Sequence, residues 1–302
     1  MLRLLFIVLL SVLAAGCSRV QFAYHQLDWL IPYYVDNYIE LDGSQDSYLE
    51  AEVENLLRWH CSAHLKPYAD LIRGANQEFQ QGTMDALKLQ FAVNRIDDYW
   101  KEIKRQASPA ISRLFLTSEQ SQLDDFLSGL RENNREWLTE FQAQTDEELR
   151  EDYQARMTDE LERWFGPLTA PQQQRIVEWS WKFKPLGIHG LQARQQWQAR
   201  LRALLDRRAE EAAFFTGIEA LFVDPDRGRP AQYLSKLVHN ESATVEMLVD
   251  VGGQVNAQQR KHLDRMAGSV ADDFDQLACA GEVLESQPAK VSYPADILLG
   301  PF

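Results

Sequence analysis

Two histidines one helical turn apart, in the run His60-Cys61-Ser62-Ala63-His64, are spaced for metal chemistry. At i and i+4 both imidazoles project from one helical face, and two nitrogens so placed can ligate zinc. The run is not a metalloprotease motif, because Cys61 stands where the general-base glutamate would be. A third ligand would have to come from elsewhere. Trp59 beside His60, with an apolar stripe beneath, fits packed and hydrogen-bonded histidines better, so His60 and His64 are kept only as candidate ligands and no cofactor is expected. Nucleophile-elbow, dinucleotide and Walker A patterns do not occur. Acidic runs such as Asp146-Glu147-Glu148 and Glu210-Glu211 read as solvated helix faces. No catalytic residue is assigned, and the expectation is a protein that is not an enzyme.

The chain has three cysteines, and their settings differ. Arg3, the apolar run Leu4 to Leu13 and Ala14-Ala15-Gly16 lead into Cys17. That run is too short to span a bilayer, and small residues directly precede the thiol. Leu13-Ala14-Ala15-Gly16-Cys17 resembles the bacterial lipobox, with Ala14 where a larger aliphatic is commoner. The expectation is a signal peptide over 1–16 and a mature chain that starts at acylated Cys17; a cleaved soluble protein or a retained anchor are the alternatives. Ser18, rather than Asp, follows Cys17, which points to the outer membrane and a periplasm-facing body. Cys61 and Cys279 then remain as a pair in a compartment that oxidises thiols. A disulfide is the favoured reading, and two buried free thiols are the alternative.

With 1–16 removed, about 286 residues remain, enough for one large helical domain or two smaller ones. A formal net charge of −14 repels phosphate, so nucleic acid is not an expected partner and broad contact with anionic lipid is disfavoured. The expected partners are the membrane, through the N-terminal lipid, and an envelope protein. Oligomeric state is left open.

Helical spacing dominates the elements that must position these residues, and the expected fold is all-α, an elongated bundle of long antiparallel helices. Apolar positions recur at Leu49, Val53, Leu56, Leu57 and His60; at Leu87, Phe91, Ile96, Trp100 and Ile103; and at Leu123, Leu127, Leu130, Trp137 and Phe141. Capping boxes predict helix starts at Thr117 with Gln120, Thr145 with Glu148, Thr169 with Gln172, Asp42 with Gln45 and Asn256 with Gln259. Leu41, Leu116, Leu168 and Val255 precede four of these caps as hydrophobic staples. Ser108-Pro109 and Arg229-Pro230 place proline where a first helical turn tolerates it. Pro67 is expected to kink or divide the first long helical region, and breaks are expected around Pro185 to Gly190 and Asp224 to Gly228. The expected organisation is a lipidated aromatic segment over 17–43, one helical domain over 44–280, with two subbundles dividing near 166–169 as an option, and an extended or disordered tail over 281–302. Phe22, Tyr24, Trp29, Tyr33, Tyr34 and Tyr38 crowd the first of these. They either dock it onto the bundle, the favoured reading, or sit at the membrane interface.

The lipobox, Tyr24-His25-Gln26-Leu27-Asp28, the stretch Asp36 to Leu41, Gln45, Trp59-His60-Cys61, Tyr68, the start Leu168-Thr169 to Gln172-Gln173 and Phe274-Asp275-Gln276-Leu277-Ala278-Cys279 resemble a family of uncharacterised proteobacterial lipoproteins assigned to a domain of unknown function. That resemblance implies a helical, envelope-anchored fold and supplies no activity or catalytic residues. Leu116-Thr117-Ser118-Glu119-Gln120 and Leu168-Thr169-Ala170-Pro171-Gln172 are similar to the LTxxQ motif of the small Spy/CpxP periplasmic chaperones. The expected function is an interaction or assembly module of the envelope. A holdase-type chaperone is the alternative, and a metal-binding protein or hydrolase comes third.

Overall fold

The computed structural model of the protein describes residues 19–279, which hold twelve helices and no strand. In chain order these are α1 (Arg19–Tyr24), α2 (Leu27–Asp36), α3 (Gly43–Ala63), α4 (Leu65–Gln81), α5 (Ala86–Thr117), α6 (Gln120–Ala143), α7 (Asp146–Phe165), α8 (Ala170–Lys182), α9 (Gly187–Leu205), α10 (Glu211–Val223), α11 (Ala231–Gly253) and α12 (Ala257–Leu277). The fold is an all-α multi-helix bundle. Cys17, the expected signal peptide and the segment 281–302 lie outside the described residues.

Apolar surface is buried in two clusters. One gathers Ile31 of α2, Leu49 and Val53 of α3, Ile111 and Phe115 of α5, Leu123 and Phe126 of α6, Leu201 of α9 and Phe214 and Ile218 of α10. The other gathers Leu161 and Phe165 of α7, Ile176 and Trp179 of α8, Met247 and Val251 of α11 and Leu263 of α12, with Phe79 of α4 packed against it. Long helices join the two: α4 runs along α12, while α5 packs on α10 at one end and on α11 at the other. Gly252 permits one close approach, since a Cβ there would sit 2.3 Å from the Phe79 ring.

Four helix starts meet in two head-to-head pairs, each stitched by reciprocal glutamine amides. In the first, the Gln172 amide donates to Gln259 Oε1 at 3.1 Å and to the Val251 carbonyl at 3.3 Å. The Gln259 amide returns a bond to Gln172 Oε1 at 2.8 Å and reaches the Pro167 carbonyl at 2.9 Å. Each amide oxygen also accepts from the N–H that opens its own helix, Thr169 N for Gln172 and Asn256 N for Gln259. The second pair repeats the device: Gln45 Oε1 accepts from Asp42 N and from the Gln122 amide, while Gln122 Oε1 accepts from Glu119 N. Their remaining amide donors go to the carbonyls of Thr117 and Glu40. All four glutamines occupy the third helical position, where a side chain can fold back on an unpaired first-turn donor.

The start predicted at Thr117 with Gln120 is corrected by this arrangement. Thr117 is the last residue of α5, and α6 begins after Glu119 with Gln122 as the returning side chain. The Thr117 and Ser118 hydroxyls turn back instead, donating to the Leu114 carbonyl at 3.1 and 2.7 Å. Gln120 bonds Asp124, one turn on. Thr145, Thr169, Asp42 and Asn256 do open helices.

Two further expectations about α5 fail for physical reasons. Pro109 opens no helix but lies inside α5, where it removes the N–H that would meet the Arg105 carbonyl, and beside it Ser108 Oγ donates to the Lys104 carbonyl at 2.6 Å. The proposed stripe Leu87, Phe91, Ile96, Trp100 and Ile103 is not one face. A five-residue step from Phe91 to Ile96 turns the later members to the opposite side of a 3.6-residue helix. Leu87, Phe91 and Ile96 are all exposed.

Candidate functional site

At the end of α3 the chain breaks at His64, the cap shared by α3 and α4, and Pro67 sits in the first turn of the new helix. His60 and His64 thus stay on one face, with ring centroids 5.4 Å apart and planes inclined by 18°. Stacked rings direct their nitrogens side by side rather than toward a common point, so the pair does not form the chelate its spacing suggests. Both His60 nitrogens are also engaged: Nδ1 lies 3.1 Å from the Tyr24 hydroxyl and Nε2 lies 3.1 Å from the Tyr68 hydroxyl. Tyr24 Oη is 3.4 Å from the Leu57 carbonyl. Donation from Tyr24 to that carbonyl leaves it accepting from Nδ1–H, and Nε2 then accepts from Tyr68, a consistent set for neutral imidazole.

His64 is 1% exposed, wedged between the Trp59 ring at 4.6 Å and the Tyr99 ring at 5.5 Å. Neither of its buried nitrogens makes a hydrogen bond, and the Glu102 carboxylate lies 3.5 Å away with half its side chain in solvent. Burial pushes the His60 imidazole down to about 4, assisted by His64. Burial also lowers His64, with Glu102 opposing and Arg95 adding to the effect. Burial raises Tyr24 to about 12, and both tyrosines remain neutral donors. Among the described residues no three His, Cys, Asp or Glu side chains gather as a metal-binding group.

The same pole carries the Cys61 to Cys279 bridge, with Cα atoms 5.2 Å apart across a sequence separation of 218. The Cys279 N–H also donates to the Cys61 carbonyl at 3.3 Å. Helix α1 is fastened beside it: the Gln21 amide donates to Asp273 at 3.0 Å and to Gln276 at 2.8 Å, and Tyr24 reaches His60. These contacts tie the first described helix to α3 and α12 at one end of the bundle.

A cavity of about 330 Å³ between α9 and α10 is lined by Arg200, Leu204, Arg207, Glu210 and Phe214. Its charges are already satisfied, Arg207 by Glu210 at 2.7 Å and Arg200 by the Arg227 carbonyl. Convex apolar surface is more prominent. On α5, Leu87 is 83% and Phe91 63% exposed, one turn apart on the same side. Gln90 between them bonds Glu241 of α11, and exposed Val238 stands one turn from that glutamate. Leu89 and Val93 take the opposite, half-buried side, so this part of α5 is apolar on both faces. A helix apolar on both faces is ordinarily covered on both. Periodicity could report the apolar residues but not which side the bundle would leave open.

A second two-sided helix is α2. Leu27, Ile31 and Val35 pack into the first core, while Trp29 and Tyr33 face outward at 54% and 59% exposure with Tyr34 beside them. Of the six aromatics in the N-terminal segment, Tyr24 and Tyr38 dock inward; Phe22, Trp29, Tyr33 and Tyr34 do not.

No curated protein and no solved structure shows significant similarity to this chain. The model of a family of unknown function, DUF6279, matches residues 37–234, more than half of the chain, and the chain belongs to that family.

Proposed function

We propose that this protein is a lipoprotein of the outer membrane, held by acylated Cys17 and facing the periplasm, that works without catalysis as an interaction or assembly module. The observation that carries the interaction role is the uncovered apolar pair Leu87 and Phe91 on α5, adjoining Val238 of α11. Solvent-facing leucine and phenylalanine on an ordered helix cost solubility unless a partner covers them, and large apolar side chains anchor protein interfaces. The arrangement supports a partner that contributes an apolar surface, and the acidic remainder of the molecule supports a specific partner over indiscriminate anionic ones.

The same apolar pair would also serve a holdase that shields unfolded chains, and one experiment separates the two. A photo-crosslinking residue placed at position 91 in cells should yield one or a few discrete adducts with envelope proteins, lost in Leu87→Ser at unchanged melting temperature. A continuous smear of adducts, together with suppressed aggregation of a denatured client at near-stoichiometric ratio, would favour the holdase. Anchorage is tested separately: Cys17→Ser removes the thiol that takes the diacylglyceryl group, so the variant should escape lipoprotein processing and leave the membrane fraction.

A further inference from the structure

We infer that the outward aromatic face of α1 and α2 lies in the lipid–water interface, forming a second membrane contact that fixes the orientation of the bundle on the bilayer. The inference rests on the lipid anchor proposed above. Arg19, the first residue of α1, is two positions from Cys17, and a fully extended chain advances at most about 3.6 Å per residue. An acylated Cys17 therefore holds α1 within about 7 Å of the headgroup layer. Helix α1 is no loose tether, because Gln21 is bonded to Asp273 and Gln276, and Tyr24 to His60. What the anchor holds close, the bundle holds rigid.

The side chains on that face have the chemistry of the interface. Phe22, Trp29 and Tyr33 are each more than half exposed, and the Trp29 and Tyr33 rings meet edge to face at 6.3 Å. Tryptophan and tyrosine favour the headgroup level, where a ring can be apolar at one end and wet at the other. Trp29 Nε1–H donates to Gln26 at 2.6 Å, so its one polar group is satisfied before it meets lipid. The opposite side of α2 is occupied by the protein core through Leu27, Ile31 and Val35. Electrostatics permit the approach: between Arg19 and Ile39 the sequence carries only Arg19, Asp28 and Asp36 as acidic or basic side chains besides His25, and of the α12 carboxylates at this pole Asp272 and Asp275 pair with Arg73 while Asp273 accepts from Gln21.

The test uses the full protein isolated with its anchor and reconstituted into phosphatidylethanolamine and phosphatidylglycerol vesicles with brominated acyl chains. Emission should be quenched in the wild type, and the quenched part should be largely lost in Trp29→Phe. The double variant Phe22→Ser, Tyr33→Ser should keep both its anchor and its thermal transition yet lose the quenching of Trp29. Vesicle-bound, acylated protein whose Trp29 is unquenched would overturn the inference while leaving the anchor intact. If mass spectrometry finds no lipid on Cys17, the anchor reading fails by itself, and the unanchored chain at excess lipid decides: quenching of Trp29 supports an interfacial face, and its absence overturns it. Trp29 unquenched in a dimer that Tyr33→Ser dissociates would assign the face to a second copy of the chain and also overturn the inference.

Discussion

Two buried polar nodes hold this bundle together, and they are built from opposite kinds of side chain. The Gln172 and Gln259 amides saturate each other, two helix starts and two carbonyls, with every donor and acceptor neutral at any pH in the working range. The imidazoles of His60 and His64 share a face at the disulfide pole; one is saturated by two tyrosines and the other is buried with no hydrogen bond. Amides supply fixed geometry, whereas imidazoles supply geometry that depends on protons. The contrast teaches that the glutamine node is a permanent stitch and the histidine node a conditional one.

The sharpest way to break that comparison is to remove a stitch. Gln172→Ala leaves the Gln259 amide and the Thr169 N–H short of partners in a dry site, and should cost about 3 kcal/mol, independent of pH between 5 and 8. Urea unfolding reads it, and a loss under about 1 kcal/mol would mean that water replaces the amide. The histidine node should behave otherwise. His60 titrates near 4 when folded and near 6.5 when unfolded, so the unfolded chain binds more protons between those values. Its contribution is complete above pH 6.5 and is lost as pH falls toward 4. Lowering pH from 7 to 4.5 should therefore remove roughly 2–3 kcal/mol through this group, and His60→Gln should flatten the curve by that amount. An unchanged pH profile in His60→Gln would show that His60 does not sense protons.

The second glutamine pair sharpens the comparison from inside. Gln122 is only half-buried, so water can take over part of its role, and Gln122→Ala should cost about 1–2 kcal/mol, less than Gln172→Ala. The smallest contrast concerns hydroxyls. Thr169→Ala removes a donor to Gln172 at the start of α8 and should cost about 0.5–1 kcal/mol. Thr117→Ala loses only a back-bond to the end of α5, within about 0.5 kcal/mol. Equal effects from the two threonines would restore Thr117 as a helix cap.

Those threonines also mark how far sequence reaches. The capping residues Asp42, Thr145, Thr169 and Asn256 were legible because a local box requires only four consecutive residues. Leu116 to Gln120 satisfies the same pattern, but Ser118 and Thr117 found a closer acceptor in the preceding helix, and Gln122 competed successfully with Gln120 for the returning position. Pairing of the boxes across the bundle left no local trace, since 77 and 87 residues separate the partners. Apolar periodicity announced helices throughout, yet could not say that Leu87 and Phe91 or Trp29 and Tyr33 would be left outside, because each helix has apolar residues on both sides and tertiary contacts choose between them. The histidine spacing was visible, as was Trp59 beside it, whereas the packing that denies it a common ligand point also needs Tyr24, Tyr68 and Tyr99, which reach it from three other helices.

The bridge from Cys61 to Cys279 also settles how the molecule carries load. A pull applied between Arg19 and Cys279, the two ends of the described chain, enters through α1 to α3 and leaves across one covalent bond. The loop between the cysteines is mechanically short-circuited, so α4 to α12 feel no tension and cannot be drawn out in series. Reduction would reconnect those nine helices into the line of force and turn a stiff link into a long, extensible one.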